Sequence, residues 1–460
     1  MRLRSGQRQK NQMELAFAVG GEGETFKAHS GGSETLVAKR ATESPAVIEQ
    51  LMEEVCERNN CWQAFKRVKA NQGSAGVDGM TIPQFTSYLK QHWPEIRKQL
   101  LEGTYKPQPV RRVEIPKPDG GVRKLGIPTL MDRLIQQAVL QVLQRRWDPT
   151  FSAHSYGFRP GRSAHQAVAQ AQQYVGEGCG WVVDLDLEKF FDQVNHDRLM
   201  SALSKRISDK RMLRLIGAYL KAGVMENGIV SATEEGTPQG GPLSPLLSNL
   251  VLDELDRELE GRGHRFVRYA DDCNIYVRSQ SAGLRVMRSI TGFVERRLKL
   301  KVNAGKSAVA RPQERKFLGF SFSRGPQIRR SVAKKSIVRF KQRVRELTQR
   351  THGVHRRGLK RLLDYLRGWR GYFGFCETPW MLRELEQWLR RRMRAAFWKQ
   401  WKNGRNRVSE LVKRGVDLRL AKSTVASEHG CWRLSHSRAL SLALPTAYFD
   451  SLGLKLLVDR

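Results

Sequence analysis

The chain has 460 residues, with 81 Lys and Arg against 45 Asp and Glu, a net charge of +36 and a pI near 10.5. Solubility asks a small domain for a net charge of only about 2–8, so this excess points to a polyanion partner, nucleic acid first. The six cysteines form no C-x-x-C pair, which argues against a zinc ribbon or a disulfide framework and suits a reducing compartment. No apolar run is long enough to predict a membrane span, and the N-terminus lacks the apolar core of a secretory signal.

Residues 1–45 are rich in Gly, Ser, Thr, Lys and Glu and read as a mobile tail. From Ala46 to Ala70, apolar residues at helical spacing (Val47, Ile48, Leu51, Met52, Val55, Trp62) predict a helix. A Gly-rich loop over Asn71–Gly79 and a helix over Ile82–Glu102 follow. Val110–Ile115 and Val122–Ile127, joined by a Pro-Lys-Pro-Asp-Gly-Gly turn, predict a hairpin. Its basic strands read either as a solvated edge or as a finger on a triphosphate, with Arg123 and Lys124 reaching it. A helix over Met131–Trp147 comes next. Ser155–Ser163 then interleaves aromatic and basic residues, a pattern suited to a nucleic-acid backbone with stacked bases.

After a helix over Ala164–Gly176, Trp181–Leu187 alternates apolar and acidic residues, as a strand does. Asp184 and Asp186 share one face of it. Residues 193–226 read as helical. The Glu235–Pro245 stretch breaks regular structure before an apolar helix from Ser244 to about Glu260. Gly240 and Gly241 there admit either the close approach of a base pair or an ordinary loop.

Arg265–Val277 reads as a hairpin with Ala270-Asp271-Asp272 at its tip. Asp at such a tip is ordinary turn chemistry. Two adjacent carboxylates also repel, and a cation relieves the repulsion. Mg²⁺ takes oxygen ligands, so Asp186, Asp271 and Asp272 together suit two Mg²⁺ ions and phosphoryl transfer.

Gly283–Leu298 reads as a helix and Lys316–Phe322 as an alternating strand. Residues 328–402 are helical in pattern, with 22 Lys and Arg against 5 Asp and Glu. Trp369, Tyr372, Phe373, Phe375, Trp380, Trp388, Phe397, Trp398 and Trp401 are interleaved with these cations, which favours an RNA-facing surface over a merely solvated one. Residues 403–460 read as a basic linker and a small helical module.

Five stretches carry a resemblance. They are Tyr156-Gly-Phe-Arg-Pro-Gly-Arg162, Asp186-Leu-Glu-Lys-Phe-Phe-Asp192, Gly236-Thr-Pro-Gln-Gly-Gly-Pro-Leu-Ser-Pro245, Tyr269-Ala-Asp-Asp272 and Phe317-Leu-Gly-Phe320. In this order the chain resembles the group II intron reverse transcriptases, or intron-encoded maturases, over about residues 46–460. Gly368–Arg390 resembles their maturase-specific region. The resemblance implies an α+β right-hand polymerase: N-terminal extension and fingers over 46–135, a catalytic core over 136–328 whose palm carries an antiparallel sheet, a helical thumb over 329–402, and a nucleic-acid-binding module over 403–460.

It further implies an RNA-directed DNA polymerase that binds group II intron RNA and assists splicing and target-primed mobility. Its partners would be intron RNA, an RNA template with a DNA primer, dNTPs and target DNA, with no membrane. Its setting would be a cytoplasmic, nucleoid-associated bacterial ribonucleoprotein. Asp186, Asp271 and Asp272 would hold two Mg²⁺ ions, with Leu187 at the same site. Phe191 would exclude a 2′-OH. Gln239, Arg123, Lys124 and Lys306 would contact the nucleotide, and Leu318 and Gly319 would lie against the primer end. Arg159, Arg162, Arg390, Arg391, Arg392 and Arg394 would meet RNA. The Cys and His nuclease cluster of many relatives has no counterpart here, as in the class C branch, so insertion would use an existing primer. Two other readings stand beside this one: a splicing cofactor that leaves chemistry to the RNA, and a free-standing reverse transcriptase serving DNA repair. A viral RNA polymerase fits less well, because bulky Phe191 disfavours ribonucleotides.

Overall fold

A computed structural model describes residues 50–116, 120–226, 229–231, 236, 240–349 and 356–454. The N-terminal tail, the tip of the 116–121 turn, Gln239 and the last six residues lie outside the described residues. The chain divides into two compact units.

The first unit gathers residues 1–163, 183–275 and 284–308. In place of one helix from 46 to 70 stand α1 (Leu51–Val55) and α2 (Arg58–Asn71). Glu57 between them is extended, and the buried Asn60 amide fixes the break by donating to Val55 O at 3.0 Å and Ala138 O at 3.1 Å. α3 (Ile82–Glu102) starts at a Thr81/Gln84 capping box and stops at Gly103, φ 72°.

Strands β1 (Val110–Pro116) and β2 (Val122–Ile127) pair antiparallel, Arg111 opposite Ile127 and Pro116 opposite Val122. α4 (Leu130–Trp147) is buried on nearly every face, as suits a helix inside a core. α5 (Ala164–Gly176) belongs to the second unit. β3 (Trp181–Asp186), α6 (His196–Ser204) and α7 (Lys210–Lys221) follow in chain order. The helical pattern expected through residue 226 ends early. Gly223, φ 77°, turns the chain into β4 (Val224–Glu226), and β5 (Ile229–Ser231) pairs with it. β4 runs parallel to β1, so the sheet ordered β2-β1-β4-β5 is mixed rather than purely antiparallel.

α8 (Ser244–Gly261) is a second deeply buried helix. β6 (Arg265–Tyr269), β7 (Asp272–Val277), α9 (Gln280–Arg296) and β8 (Ala308–Ala310) complete the series, with sheet order β6-β7-β3-β8. Only two residues join β6 to β7, which requires an antiparallel pair.

The second unit gathers residues 164–182, 276–283 and 309–460. The strand expected over Lys316–Phe322 shrinks to β9 (Phe320–Phe322), paired antiparallel with β10 (Arg330–Val332). Leu318 and Gly319 interrupt it with φ of 50° and 87°, and Phe317 and Phe320 exchange backbone hydrogen bonds of 2.9 Å across them. Two successive positive φ values make a tight two-residue hairpin. α10 (Lys334–Leu347), α11 (Arg356–Phe373) and α12 (Pro379–Gln400) follow. The basic linker expected after 402 is instead a helix, α13 (Gly404–Lys413), capped by Asn403, whose Oδ1 accepts from Asn406 N at 2.9 Å. Four short helices lead on to Ser451.

One apolar core runs through this unit from Val332 to Leu454. Several rings expected to face RNA lie in it instead: Trp369, Phe397, Trp398 and Trp401 are buried, whereas Trp380 is exposed. Phe340 is fully buried, its ring 4.6 Å from that of Trp369 and 6.0 Å from that of Tyr365. Phe340→Ala is therefore expected to destabilise this unit by about 3–5 kcal/mol, read as a lower urea midpoint. No helix of the described residues is long and apolar enough to cross a membrane.

Candidate active site

Asp186 closes β3, and the 301–307 loop ties down its backbone. Asp186 N donates to Ser307 Oγ at 3.0 Å, and its carbonyl accepts from Asn303 N at 2.9 Å. The next residues stay in register with the same loop: Leu187 bridges Val302, and Glu188 N donates to Lys301 O at 2.8 Å. The Leu187 side chain is apolar and buried, so only its backbone oxygen is a conceivable metal ligand. Lys306 is exposed on this loop.

Ala270 and Asp271 link β6 to β7, and Ala270 adopts φ 58°, a left-handed conformation that L residues rarely take. Beneath the turn lies Arg268, which is fully buried. Its Nε donates to Asp256 Oδ1 at 2.7 Å, and its Nη2 to Asp256 Oδ2 at 2.5 Å and Ser155 Oγ at 2.8 Å. Its Nη1 donates to Asn249 Oδ1 at 3.0 Å and to Ala270 O at 2.9 Å. All five N–H groups of the guanidinium are thus used.

Residues 154–157 form a rail along β6. Arg268 N donates to His154 O and Tyr156 N to Arg268 O, both at 2.9 Å. Gly157 lies so close to the Ala270 nitrogen that a Cβ there would overlap it, and Asn249 Nδ2 holds the Gly157 carbonyl at 2.9 Å. A stretch expected to meet nucleic acid therefore supports the acidic turn at its first residues.

The Asp271 carboxyl is held above the usual carboxylate range, first by burial, with the negative charge of Asp186 pushing the same way and Arg123 and Arg268 pulling it down. Asp271 itself still touches solvent. Asp272 is half-buried beside it. Among the described residues no three Asp, Glu, His or Cys side chains already stand as a metal-binding cluster. Mutually repelling oxygen donors of this kind fit Mg²⁺, which binds through one or two carboxylates and completes its shell with water and substrate phosphates.

Phe191 follows Lys189, φ 44°, in a short turn over Phe190–Asp192 and is half-buried, its ring 5.3 Å from that of Phe190. Gly236 packs on this turn: a Cβ there would lie 2.9 Å from Phe191 O. His196 Nε2 lies 2.6 Å from Gly236 O and Gly236 N donates to Val194 O at 2.8 Å, holding the loop there. The close approach allowed by Gly240 and Gly241 is to the protein itself. A Cβ on Gly240 would lie 2.5 Å from Gly126 O, and one on Gly241 would overlap Gln136 Oε1. Arg123 and Lys124 are exposed on β2, with Lys124 Nζ 4.0 Å from Glu114.

In the second unit, Tyr372 Oη donates to Leu318 O at 2.7 Å, and Ser336 Oγ and Ala333 N each donate to Gly319 O at 3.0 Å. The tight turn is thereby fixed by residues beyond its own hairpin.

Two expected RNA contacts are corrected. Arg159 is buried, bound to Asp148 Oδ1 at 2.8 Å, Asp148 O at 2.7 Å and Ser155 O at 3.0 Å. Arg392 is buried against Thr348, donating to its Oγ1 at 3.1 Å and its O at 3.3 Å. The Arg159 guanidinium is saturated by protein and has no donors left for phosphate, and Arg392 spends its Nε and Nη2 on protein oxygens. Arg390, Arg391 and Arg394 are half-buried, directed toward Glu386, Trp432 and Leu444 O respectively. Arg162 is half-buried, its guanidinium 5.3 Å from the Tyr156 ring.

Residues 115–322 match the family described as reverse transcriptase (RNA-dependent DNA polymerase), and residues 337–415 match the group II intron, maturase-specific domain. Protein YkfC of Escherichia coli is 34% identical over 315 residues, covering 60% of this chain and 82% of that protein. The group II intron-encoded protein LtrA of Lactococcus lactis is 40% identical over 195 residues, 42% of this chain and 32% of LtrA. A putative COX1/OXI3 intron 2 protein of Saccharomyces cerevisiae is 35% identical over 203 residues, 43% of this chain and 23% of its own length. The chain thus spans most of YkfC but only about a third or less of the two intron proteins.

Proposed function

We propose the reaction of this chain from its membership: it belongs to the group II intron-encoded reverse transcriptases and maturases. It lengthens a DNA primer on an RNA template. The primer 3′ oxygen bonds to the α-phosphorus of a dNTP, the bond to the leaving pyrophosphate breaks, and the hydroxyl proton passes to water. The observation that supports this most directly is that Asp186, at the end of β3, lies close enough for its charge to act on Asp271, in the turn between β6 and β7. Asp186, Asp271 and Asp272 would hold two Mg²⁺ ions, which when bound supply positive charge at the attacking and leaving oxygens.

The chain's own groups do the positioning, which carries most of the rate in phosphoryl transfer. Arg123, close enough to influence Asp271, and its neighbour Lys124 neutralise the triphosphate, with Lys306 and Gln239 as further contacts. Leu318 and Gly319 seat the primer end. The division into fingers (46–135), core (136–328), thumb (329–402) and C-terminal module (403–460) is part of the same proposal.

Phe191 reads the sugar. Phe191→Ala is expected to raise ribonucleotide incorporation relative to dNTP by at least about tenfold, since a contact of one or two carbons discriminates on that scale. Unchanged sugar selection in single-nucleotide extension would refute the assignment.

The match to the maturase-specific domain favours a second, compatible role: binding of intron RNA to assist splicing and mobility. Its surface would be the exposed cations of α10 and α11, such as Lys334, Lys335, Arg339, Arg361 and Arg367. The test of the polymerase reading is extension of a DNA primer on an RNA template by the purified chain with Mg²⁺ and dNTPs. Extension that a chelator abolishes is expected; its absence would overturn the reading.

A further inference from the structure

We propose that Arg268 is a positioning residue: by holding the Ala270 carbonyl it sets the direction in which Asp271 and Asp272 present their carboxylates to metal. This rests on the reading of those acids as ligands.

The ion pair with Asp256 uses only the Nε and one Nη2 hydrogen of Arg268. A purely structural role for the side chain would be complete with that pair. The other three hydrogens reach Ser155 Oγ, Asn249 Oδ1 and Ala270 O. Only the last of these lands on the acidic turn. The Ala270 oxygen belongs to the planar peptide that joins Ala270 to Asp271. Fixing that oxygen fixes the plane, and so constrains ψ of Ala270 and φ of Asp271 together. The Asp271 Cβ direction follows from the second of these angles.

Two further contacts close the alternatives to this plane. Gly157 packs against the Ala270 nitrogen, leaving no space for a Cβ of its own. Asn249 joins the two supports, accepting from Arg268 Nη1 at 3.0 Å and donating to Gly157 O at 2.9 Å. The left-handed Ala270, φ 58°, is thus held from its carbonyl side by Arg268 and from its nitrogen side by Gly157. Residues that orient a ligand without touching the metal typically change metal affinity by about 10- to 100-fold when replaced.

Arg268→Lys tests this. Lys keeps a positive charge opposite Asp256, but one ammonium cannot serve the four residues that the guanidinium reaches. Tb³⁺ luminescence, sensitised by nearby tyrosine, reports hard-cation binding to the protein alone. Arg268→Lys is expected to weaken Tb³⁺ binding by at least about tenfold. The Mg²⁺ concentration for half-maximal extension should rise by a similar factor. Primer–template affinity measured without metal should stay within about twofold, which a general loss of structure would not allow. A folded Arg268→Lys with wild-type Tb³⁺ affinity would overturn the proposal. If that variant does not fold, Arg268→Met paired with Asp256→Leu removes both buried charges at once and is read in the same way. Asp271→Asn is the reference. Its loss of Tb³⁺ affinity beside an unaffected Arg268→Lys refutes only the positioning role. Wild-type Tb³⁺ affinity in Asp271→Asn would instead remove the acids as ligands, and the proposal with them.

Discussion

Replacing Asp271 with Asn is expected to lower RNA-templated primer extension by about 10³-fold or more. The substitution keeps shape and removes one unit of negative charge from the place where two cations would be held. Losing several kcal/mol of charge stabilisation at the reacting oxygens corresponds to that factor. The same change should leave the fold intact or firmer. The Asp271 carboxyl is held above its ordinary range by burial and by Asp186, so its ionised form is disfavoured in the folded chain relative to the unfolded one. That penalty is absent at pH values below the unfolded carboxylate range and fully present at neutral pH, above the raised value. Asn does not ionise, so at pH 7 without metal its melting temperature should equal or exceed that of the wild type. Extension assays and calorimetry on one preparation check both halves. Retained splicing of a cognate intron RNA by the same variant would separate the maturase role from polymerisation.

The second large effect is expected from Gly157→Ala. One added methyl group would overlap the Ala270 nitrogen, which is backbone and cannot rotate away. Nor can the 154–157 rail retreat freely, since His154 and Tyr156 are bonded to Arg268 and Gly157 to Asn249. Overpacking of this kind costs about 1–3 kcal/mol of stability. The acids would shift with the turn, and misplacement by about an ångström costs on the order of 10²-fold in rate. Gly176→Ala is the control, because a Cβ at that helical position meets nothing within 4 Å. It should leave both stability and extension near wild type.

The elements that could be read from the sequence are those whose signal is local. The Ile82–Glu102 helix carries its capping box in consecutive residues and keeps its expected bounds. The 110–127 hairpin and the 181–186 strand also lie where turn chemistry and alternation put them. Residues whose partners are distant were not legible. Arg268 sits among basic residues that suit a surface, yet it is buried because Asp256, Asn249 and Ser155 meet it there. Arg159 and Arg392 misled for the same reason: a guanidinium reads as a phosphate contact until its protein acceptors are known. Ser307 and Asn303, which pin Asp186, are ordinary turn residues in the sequence and gain meaning only from strand placement. The break at Glu57 depends on Asn60 reaching Ala138, far along the chain.

The tight turn at Leu318 and Gly319 falls inside the stretch that matches reverse transcriptases, but Tyr372 and Ser336, which fasten it, lie after that stretch ends. The seam between the two matched regions is therefore a poor place to cut. A fragment ending at residue 322 would leave both turn carbonyls facing water, free to sample other shapes. Chimaeras that exchange one region between relatives should carry Leu318, Gly319, Ser336 and Tyr372 as a single unit of inheritance.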